Sequence, residues 1–228
     1  MILRNWEDLP KEMQNEQVRP YYEYLAKHKM SLAVKFLLDK VLAVILLLVL
    51  SPIFLVIAIW IKCDSAGEVF FRQERVTRYG QKFRIYKFRT MVKNAEALGS
   101  QVTTNADMRV TKVGKKIRAC RLDEIPQLIN ILKGEMSFVG TRPEVPRYVE
   151  QYTEEMYATL LLPAGVTSEA SIEYKDEERL LSQADDADAV YVTEILPEKM
   201  RWNYSGINKQ GVVADIKIML RTVVEVAN

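Results

Sequence analysis

The chain has 228 residues and a formal net charge of +2, enough for one domain with its own core and an attached membrane element. Its single histidine, His28, precedes the long hydrophobic run, which excludes Ser-His, Cys-His and His-metal chemistry from everything that follows and leaves the work to carboxylates, Lys, Arg or Tyr. Cys63 and Cys120 stand alone without CxxC spacing, which speaks for a reducing compartment and against a disulfide framework or a structural zinc site.

In chain order, residues 1–34 come first. There Trp6, Tyr21, Tyr22 and Tyr24 interleave with charges, a pattern that suits an interfacial lead-in helix or a plain soluble one equally. Residues 35–62 hold the apolar run Val41 to Ile61 (VLAVILLLVLSPIFLVIAIWI), 21 residues without a charge. At about 1.5 Å per residue such a helix approaches the ~30 Å of bilayer hydrocarbon. It starts too far along the chain, and lacks the small-residue cleavage site, for a removable signal peptide. Ser51 and Pro52 sit at its middle, where Pro removes a backbone donor and Ser can satisfy a freed group. Both flanks are basic: Lys27, Lys29, Lys35 and Lys40 before, Lys62, Arg72, Arg75 and Arg78 after. Balanced flanks fit a re-entrant helix broken at Ser51-Pro52 whose two ends return to one face, while a kinked spanning helix stays open on these residues alone.

Residues 63–228 read as a cytoplasmic domain. Val69 to Phe71 and Phe83 to Phe88 predict a β-hairpin about Arg78 to Gln81, with aromatic positions inward and basic ones outward. Asp123 to Leu132 (DEIPQLINIL) predicts an amphipathic helix through Ile125, Leu128, Ile129 and Leu132, with Asp123 as N-cap and Pro126 in the first turn. A helix is expected over Glu150 to Leu162 and an acidic loop over Ser182 to Ala189 (SQADDADA). Val212 to Val226 predicts another amphipathic helix, apolar at 212, 213, 216, 219, 220, 223 and 224. The expected fold class is α/β or α+β, a helix-rich small domain with a short hairpin.

Charge is segregated along this domain. Gly67 to Arg121 carries 14 Lys or Arg against 4 Asp or Glu, and Pro146 to Met200 carries 4 against 13. A basic block beside an acidic one suggests a polyanion held on one side, although separately solvated faces would give the same count. Asp123-Glu124 is the candidate catalytic pair. Carboxylates at a helix start see the positive end of its dipole, and Lys87, Arg89, Arg118, Arg121 and Arg142 surround them in sequence. An ionised Asp can attack phosphorus when cations offset the repulsion of two anions, with Mg²⁺ the usual helper. Simple helix capping is the plainer account of the same pair. No Gly-rich phosphate loop is present.

These pieces together resemble one family. The hydrophobic run with Ser51-Pro52 is followed by Val69 to Arg75 (VFFRQER), Phe83 to Met91 (FRIYKFRTM) and Arg109 to Gly114 (RVTKVG). Arg121 to Leu128 (RLDEIPQL) and Lys133 to Pro143 (KGEMSFVGTRP) complete the set. In this order they are similar to the bacterial sugar transferases, the small monotopic phosphoglycosyl transferases, from about Lys35 to Leu181. The resemblance implies a re-entrant helix on the cytoplasmic face of the bacterial inner membrane. It implies Mg²⁺-dependent transfer of a sugar 1-phosphate from a UDP-sugar to undecaprenyl phosphate, with UMP released. By the same inheritance Asp123 is the nucleophile and a metal ligand, Glu124 its partner, and Lys87, Arg118 and Arg142 phosphate contacts. Arg89 and Thr167 join the expected substrate-binding set. No nucleic acid is expected as a partner, and a homodimer is compatible with the family. One segment departs: many members carry PGITG then AQVNG, whereas Pro163 to Tyr174 reads PAGVTSEASIEY, the best candidate for donor contacts. Two other functions share these features. A membrane-anchored metal-dependent phosphohydrolase would use the same acidic pair, and a non-enzymatic scaffold would use the basic block for anionic lipid or nucleic acid.

Overall fold

The computed structural model describes residues 3–95, 107–174, 181 and 186–227. The N-terminal segment folds back onto the domain. Helix α1, Arg19–Lys27, and the turns before it bury Leu3, Leu9, Met13, Val18 and Leu25 against Tyr79, Val149, Ala158, Leu161 and Ile207. Trp6, Tyr21, Tyr22 and Tyr24 pack on the same cluster, so their apolar faces serve the protein core.

Helix α2, Lys29–Asp64, is one uninterrupted element of 36 residues that runs through Ser51 and Pro52. Pro52 has no N–H to offer the carbonyl one turn back, that of Leu48. The Ser51 hydroxyl donates to this same Leu48 oxygen at 2.8 Å. The expected break is thus a substituted hydrogen bond inside a continuing helix. One face of α2 touches the domain along its whole length. Leu32 and Phe36 join the N-terminal cluster, Leu42, Ala43, Leu46, Leu47 and Leu50 a central one, and Phe54, Ile57 and Ile61 a third. The other face leaves Leu37, Val41, Ile45, Leu48, Val49, Val56 and Trp60 exposed.

The hairpin forms as expected. Strands β1, Phe70–Val76, and β2, Lys82–Phe88, pair antiparallel, with Phe71 opposite Lys87 and Arg75 opposite Phe83. Helix α3, Lys112–Ala119, follows, its start pressed on the backbone after β2. A Cβ at Gly114 would lie 2.1 Å from the Thr90 carbonyl oxygen, so only glycine permits this approach. Helix α4, Gln127–Lys133, ends at Gly134, whose φ of 76° supplies the left-handed stop. Strand β3, Met136–Val139, pairs in parallel with β4, Ala164–Thr167. Between them lie α5, Pro146–Val149, and the 3-10 helix Glu155–Leu161. The expected helix over Glu150 to Leu162 is therefore a tighter one begun later, because Met156, Ala158, Thr159, Leu160 and Leu161 are all buried and no single face is left to solvent.

Helix α6 is Glu169–Glu173. Of the expected acidic loop, residues 182–185 lie outside the described residues. Asp186 instead caps α7, Ala187–Val190, accepting from the N–H groups of Asp188 and Ala189. A π-helical turn, Tyr191–Ile195, joins α7 to α8, Leu196–Lys209. Helix α9, Val212–Ala227, matches its expected span. Val213, Ile216, Leu220, Val223 and Val224 face outward, and Asp215, Met219 and Thr222 face the domain.

Candidate active site

Residues 83, 85, 87 and 89 share one face of β2, since alternate strand residues point the same way. Phe83 and Ile85 on that face enter the core with Leu128 and Ile131 of α4. The next residue on it is Lys87, so the hairpin turns a basic side chain inward, contrary to the expected sorting of aromatic in and basic out. Asn130 of α4, fully buried, fixes the register. Its Oδ1 accepts from the Tyr86 N–H at 2.9 Å, and its Nδ2 donates to the Arg84 carbonyl at 3.1 Å. A side-chain amide thus serves the free edge of β2 as a neighbouring strand would.

Glu124 receives this lysine. Lys87 Nζ donates to Glu124 Oε1 at 2.8 Å, and Arg142 Nη2 donates to the same oxygen at 2.6 Å. Arg142 Nη1 reaches Glu124 Oε2 at 3.4 Å, completing a two-pronged contact. Burial opposes ionisation of Glu124, but Arg142 and Lys87 together outweigh it and hold the carboxyl well below the usual carboxylate range. Burial lowers the Lys87 ammonium from its ordinary value, while Glu124 acts to restore it.

Asp123 is built differently. The helix expected to begin at Asp123 begins at Gln127, and Asp123 lies instead in a 3-10 turn, Leu122–Glu124. It caps nothing: among the described residues its side chain makes no hydrogen bond and no ion pair, although it is only 9% exposed. Arg121 enters the turn at φ 53°, the left-handed region that a non-glycine residue occupies at a cost of about 1 kcal/mol. Burial raises the Asp123 pKa, the nearby Glu124 charge adds to this, and Lys87, Arg118 and Arg142 oppose it. The pair is therefore split: Glu124 is a clamped anion, and Asp123 an unclamped carboxylate beside three cations. Helix capping does not account for such an arrangement.

Arg142 rides on a tight turn after β3. Gly140 N–H donates to the Thr167 carbonyl at 3.0 Å and Gly165 N–H to the Thr141 carbonyl at 2.8 Å. A Cβ on Gly165 would fall 2.1 Å from the Gly140 oxygen, so the two chains meet glycine against glycine. Beyond the turn, Arg75 Nη1 donates to the Pro143 carbonyl at 3.0 Å, and the Val76 N–H donates to the Glu144 carbonyl at 2.9 Å.

Of the expected site residues, Asp123, Glu124, Lys87, Arg118 and Arg142 come together. Arg89 and Thr167 do other work. Arg89 Nη2 donates to the Ser65 carbonyl at 2.7 Å and to its hydroxyl at 2.9 Å, which closes the C-terminus of α2. Thr167 Oγ1 lies 2.8 Å from Thr222 Oγ1 of α9 and is nearly buried. Ser51 and Pro52 lie within α2, away from these groups. Asn130 and Arg75 brace the strands that carry the site, Lys35 and Asp215 form a buried pair behind β3, and none of the four was an expected site residue. A lone polar residue inside an apolar period, such as Asp215 among the valines of α9, is the one signal that marked any of them.

Asp123 is also the carboxylate free to take a metal, since both Glu124 oxygens are held by cations. Among the described residues no three His, Cys, Asp or Glu side chains gather into a metal cage. A single carboxylate suits Mg²⁺, which is commonly held by one or two carboxylates together with substrate phosphates and water. The residues present fit that group.

One chain thus carries a long apolar helix, a split Asp-Glu pair and three cations beside that pair. The chain belongs to the bacterial sugar transferases, whose family pattern matches residues 30–228. It is 45% identical over 139 residues to a UDP-N-acetylgalactosamine-undecaprenyl-phosphate N-acetylgalactosaminephosphotransferase of Aeromonas hydrophila, covering 59% of this chain and 33% of that protein. It is 36% identical over 190 residues to a UDP-glucose:undecaprenyl-phosphate glucose-1-phosphate transferase of Escherichia coli, covering 81% of this chain and 38% of that one. An undecaprenyl-phosphate galactose phosphotransferase of Salmonella typhimurium is 36% identical over 145 residues, 57% of this chain and 30% of its own. The chain thus spans well under half the length of these three relatives.

Proposed function

We propose that the protein moves a sugar 1-phosphate from a UDP-sugar to undecaprenyl phosphate at a cytoplasmic membrane surface, through a covalent aspartyl intermediate. The observation that carries this is the unclamped Asp123 carboxylate beside a Glu124 whose two oxygens hold Lys87 and Arg142. In the first step an Asp123 oxygen attacks the phosphorus that bears the sugar. The bond from that phosphorus to the bridging oxygen of the diphosphate breaks, and UMP leaves. In the second step an oxygen of the polyprenol phosphate attacks the same phosphorus and frees Asp123, leaving a polyprenol diphosphate sugar. Lys87, Arg118 and Arg142 offset the charge of the approaching anions, and Glu124 holds two of these cations at the site. Asp123 would be the residue to hold Mg²⁺, which would supply further neutralisation of the phosphate charge. The three relatives are named for three different sugars, and Pro163 to Tyr174, where this chain departs from the pattern many family members carry, is the segment to examine for the donor.

The membrane arrangement has its own support. Both limbs of α2, from Leu32 to Ile61, pack on one domain, and α9 turns its apolar face outward beside it. A rod held along a polar domain cannot stand across a bilayer without drawing that domain in. This favours a monotopic seat in which both ends of α2 stay on one side of the membrane. The test of the chemistry is incubation with radiolabelled UDP-sugar in the absence of acceptor. UMP is expected to be released once per enzyme, with label on the peptide containing Asp123. Normal turnover with no labelled peptide would mean direct transfer.

A further inference from the structure

Lys35 lies in the first limb of α2, well before the apolar run, and is only 5% exposed. Its ammonium group donates to Asp215 Oδ2 of α9 at 2.5 Å and to the Val139 carbonyl, at the end of β3, at 3.1 Å. Asp39, one turn further along α2, stands 3.7 Å from the same nitrogen and accepts from the Ser137 hydroxyl at 2.6 Å. Asp39, Ser137 and Asp215 are buried as well. A buried charge removed from water is costly and is no general source of stability. Apolar residues would join these three elements as well, so the use of a charged donor here calls for a further reason.

The bond to Val139 supplies one. Val139 is three residues before Arg142, and the turn between them hangs from two supports. Arg75 and Val76 of β1 hold its far end at Pro143 and Glu144, and Lys35 holds its near end at Val139. We propose that Lys35 is a positioning residue, which couples the seating of the membrane helix to the placement of Arg142 against Glu124. It touches no reacting atom. It fixes the carbonyl from which the Arg142 turn departs, so the phosphate clamp is complete only when the first limb of α2 is docked. The proposal rests on the transferase reading for the role of Arg142, and its test is arranged to separate the two.

Exchanging Lys35 alone would leave Asp215 and Asp39 buried without their cation, so every variant is made on an Asp39→Asn background and the paired variant is Lys35→Met with Asp215→Leu. It is prepared in detergent with the full chain and compared with Arg142→Ala and with the triple variant. UMP release should fall by roughly ten-fold or more in the paired variant and further in Arg142→Ala, with the triple variant no slower than Arg142→Ala within about two-fold. A general structural defect would instead multiply the two losses, and that outcome overturns the proposal. Hydrogen exchange gives a readout independent of activity. The amides of Gly140, Thr141 and Arg142 should exchange faster in the paired variant while those of α4 do not change. Unchanged exchange at the turn, with the paired variant folded, also overturns it. Wild-type protein that releases no UMP from any UDP-sugar would end the transferase reading, yet the exchange result would still decide whether Lys35 holds the turn. Should the paired variant fail to accumulate, Lys35→Gln with Asp215→Asn, which removes both charges and keeps polar side chains there, carries the same two measurements.

Discussion

Asp123 and Glu124 are neighbours in sequence and opposites in environment, and the contrast predicts opposite stability effects. The Asp123 pKa is raised in the fold, chiefly by burial, so the folded state holds this proton more tightly than the unfolded chain does. Its ionisation therefore weakens the fold as pH rises through the folded pKa, and the penalty vanishes at lower pH. Asp123→Asn should abolish UMP release yet raise the melting temperature at neutral pH, with the gain shrinking under acid conditions; each pKa unit is worth about 1.4 kcal/mol. A thermal melt at two pH values beside an activity assay reads both. Glu124 is depressed, so its contribution is present above the unfolded carboxylate pKa and lost as pH falls below it. Glu124→Gln removes that contribution and leaves Lys87 and Arg142 facing each other. It should destabilise the protein by about 3 kcal/mol at neutral pH, measured by denaturant titration, and slow turnover severely. The activity profile follows the same sign: an attacking Asp123 must be ionised, so kcat/KM should decline with falling pH at a point above the ordinary aspartate value. A profile flat through that region in the wild type would remove Asp123 as the attacking group.

The elements show which of these features a sequence can carry. The hairpin, the long apolar helix and the C-terminal helix were legible because each repeats its pattern over many residues. The inward lysine was legible too, in hindsight of register alone: Lys87 shares the Phe83 and Ile85 face by strict alternation. The start of α4 was not, because Asp123 before an apolar period looks the same whether it caps or reacts, and only the left-handed Arg121 in the actual turn separates the two. The orientation of α9 was not legible, for a physical reason. Periodicity locates an apolar face but not the solvent it meets, and here the face turns outward while Asp215 turns in. Helix α2 gives a prediction at this scale. Ser51 already occupies the Leu48 carbonyl that Pro52 leaves open, so Ser51→Ala should expose an unmet acceptor in lipid. Pro52→Ala supplies the missing N–H and should straighten and stiffen the helix. Amide exchange across residues 46 to 54 is expected to speed up in Ser51→Ala and slow in Pro52→Ala; equal exchange in both would show that this bond does not matter.

At the scale of the molecule, the site is assembled from pieces distant in sequence, and the membrane helix is one of them. The N-terminal arm, the hairpin, α3, α4 and α9 all pack against α2 or its neighbours, so the Asp123-Glu124 pair and the apolar run share one frame. This has a consequence for topology. Met30 and Cys63 sit at opposite ends of α2, about 50 Å apart along a straight helix at 1.5 Å per residue. If α2 crossed the membrane, they would lie on opposite sides. Yet Leu32, beside the first, packs on the core that holds Tyr79 and Ile207, and Ile61, beside the second, packs on Phe88 and Ile117 of the same domain. Both ends must then lie on the side where that domain lies. Cys63 is exposed and supplies one probe as it stands; Met30, also exposed, supplies the other as Met30→Cys, with Cys120→Ser removing the remaining thiol. A membrane-impermeant maleimide added to intact cells should label neither position, and both should label after the membrane is permeabilised. The same pair in the Pro52→Ala background asks whether a stiffened helix still returns. Domain contacts at both ends favour its doing so in most molecules, with a minority in which one position becomes reachable from outside. Labelling of either position in the unaltered helix would place α2 across the bilayer and separate the two ends that the packing holds together.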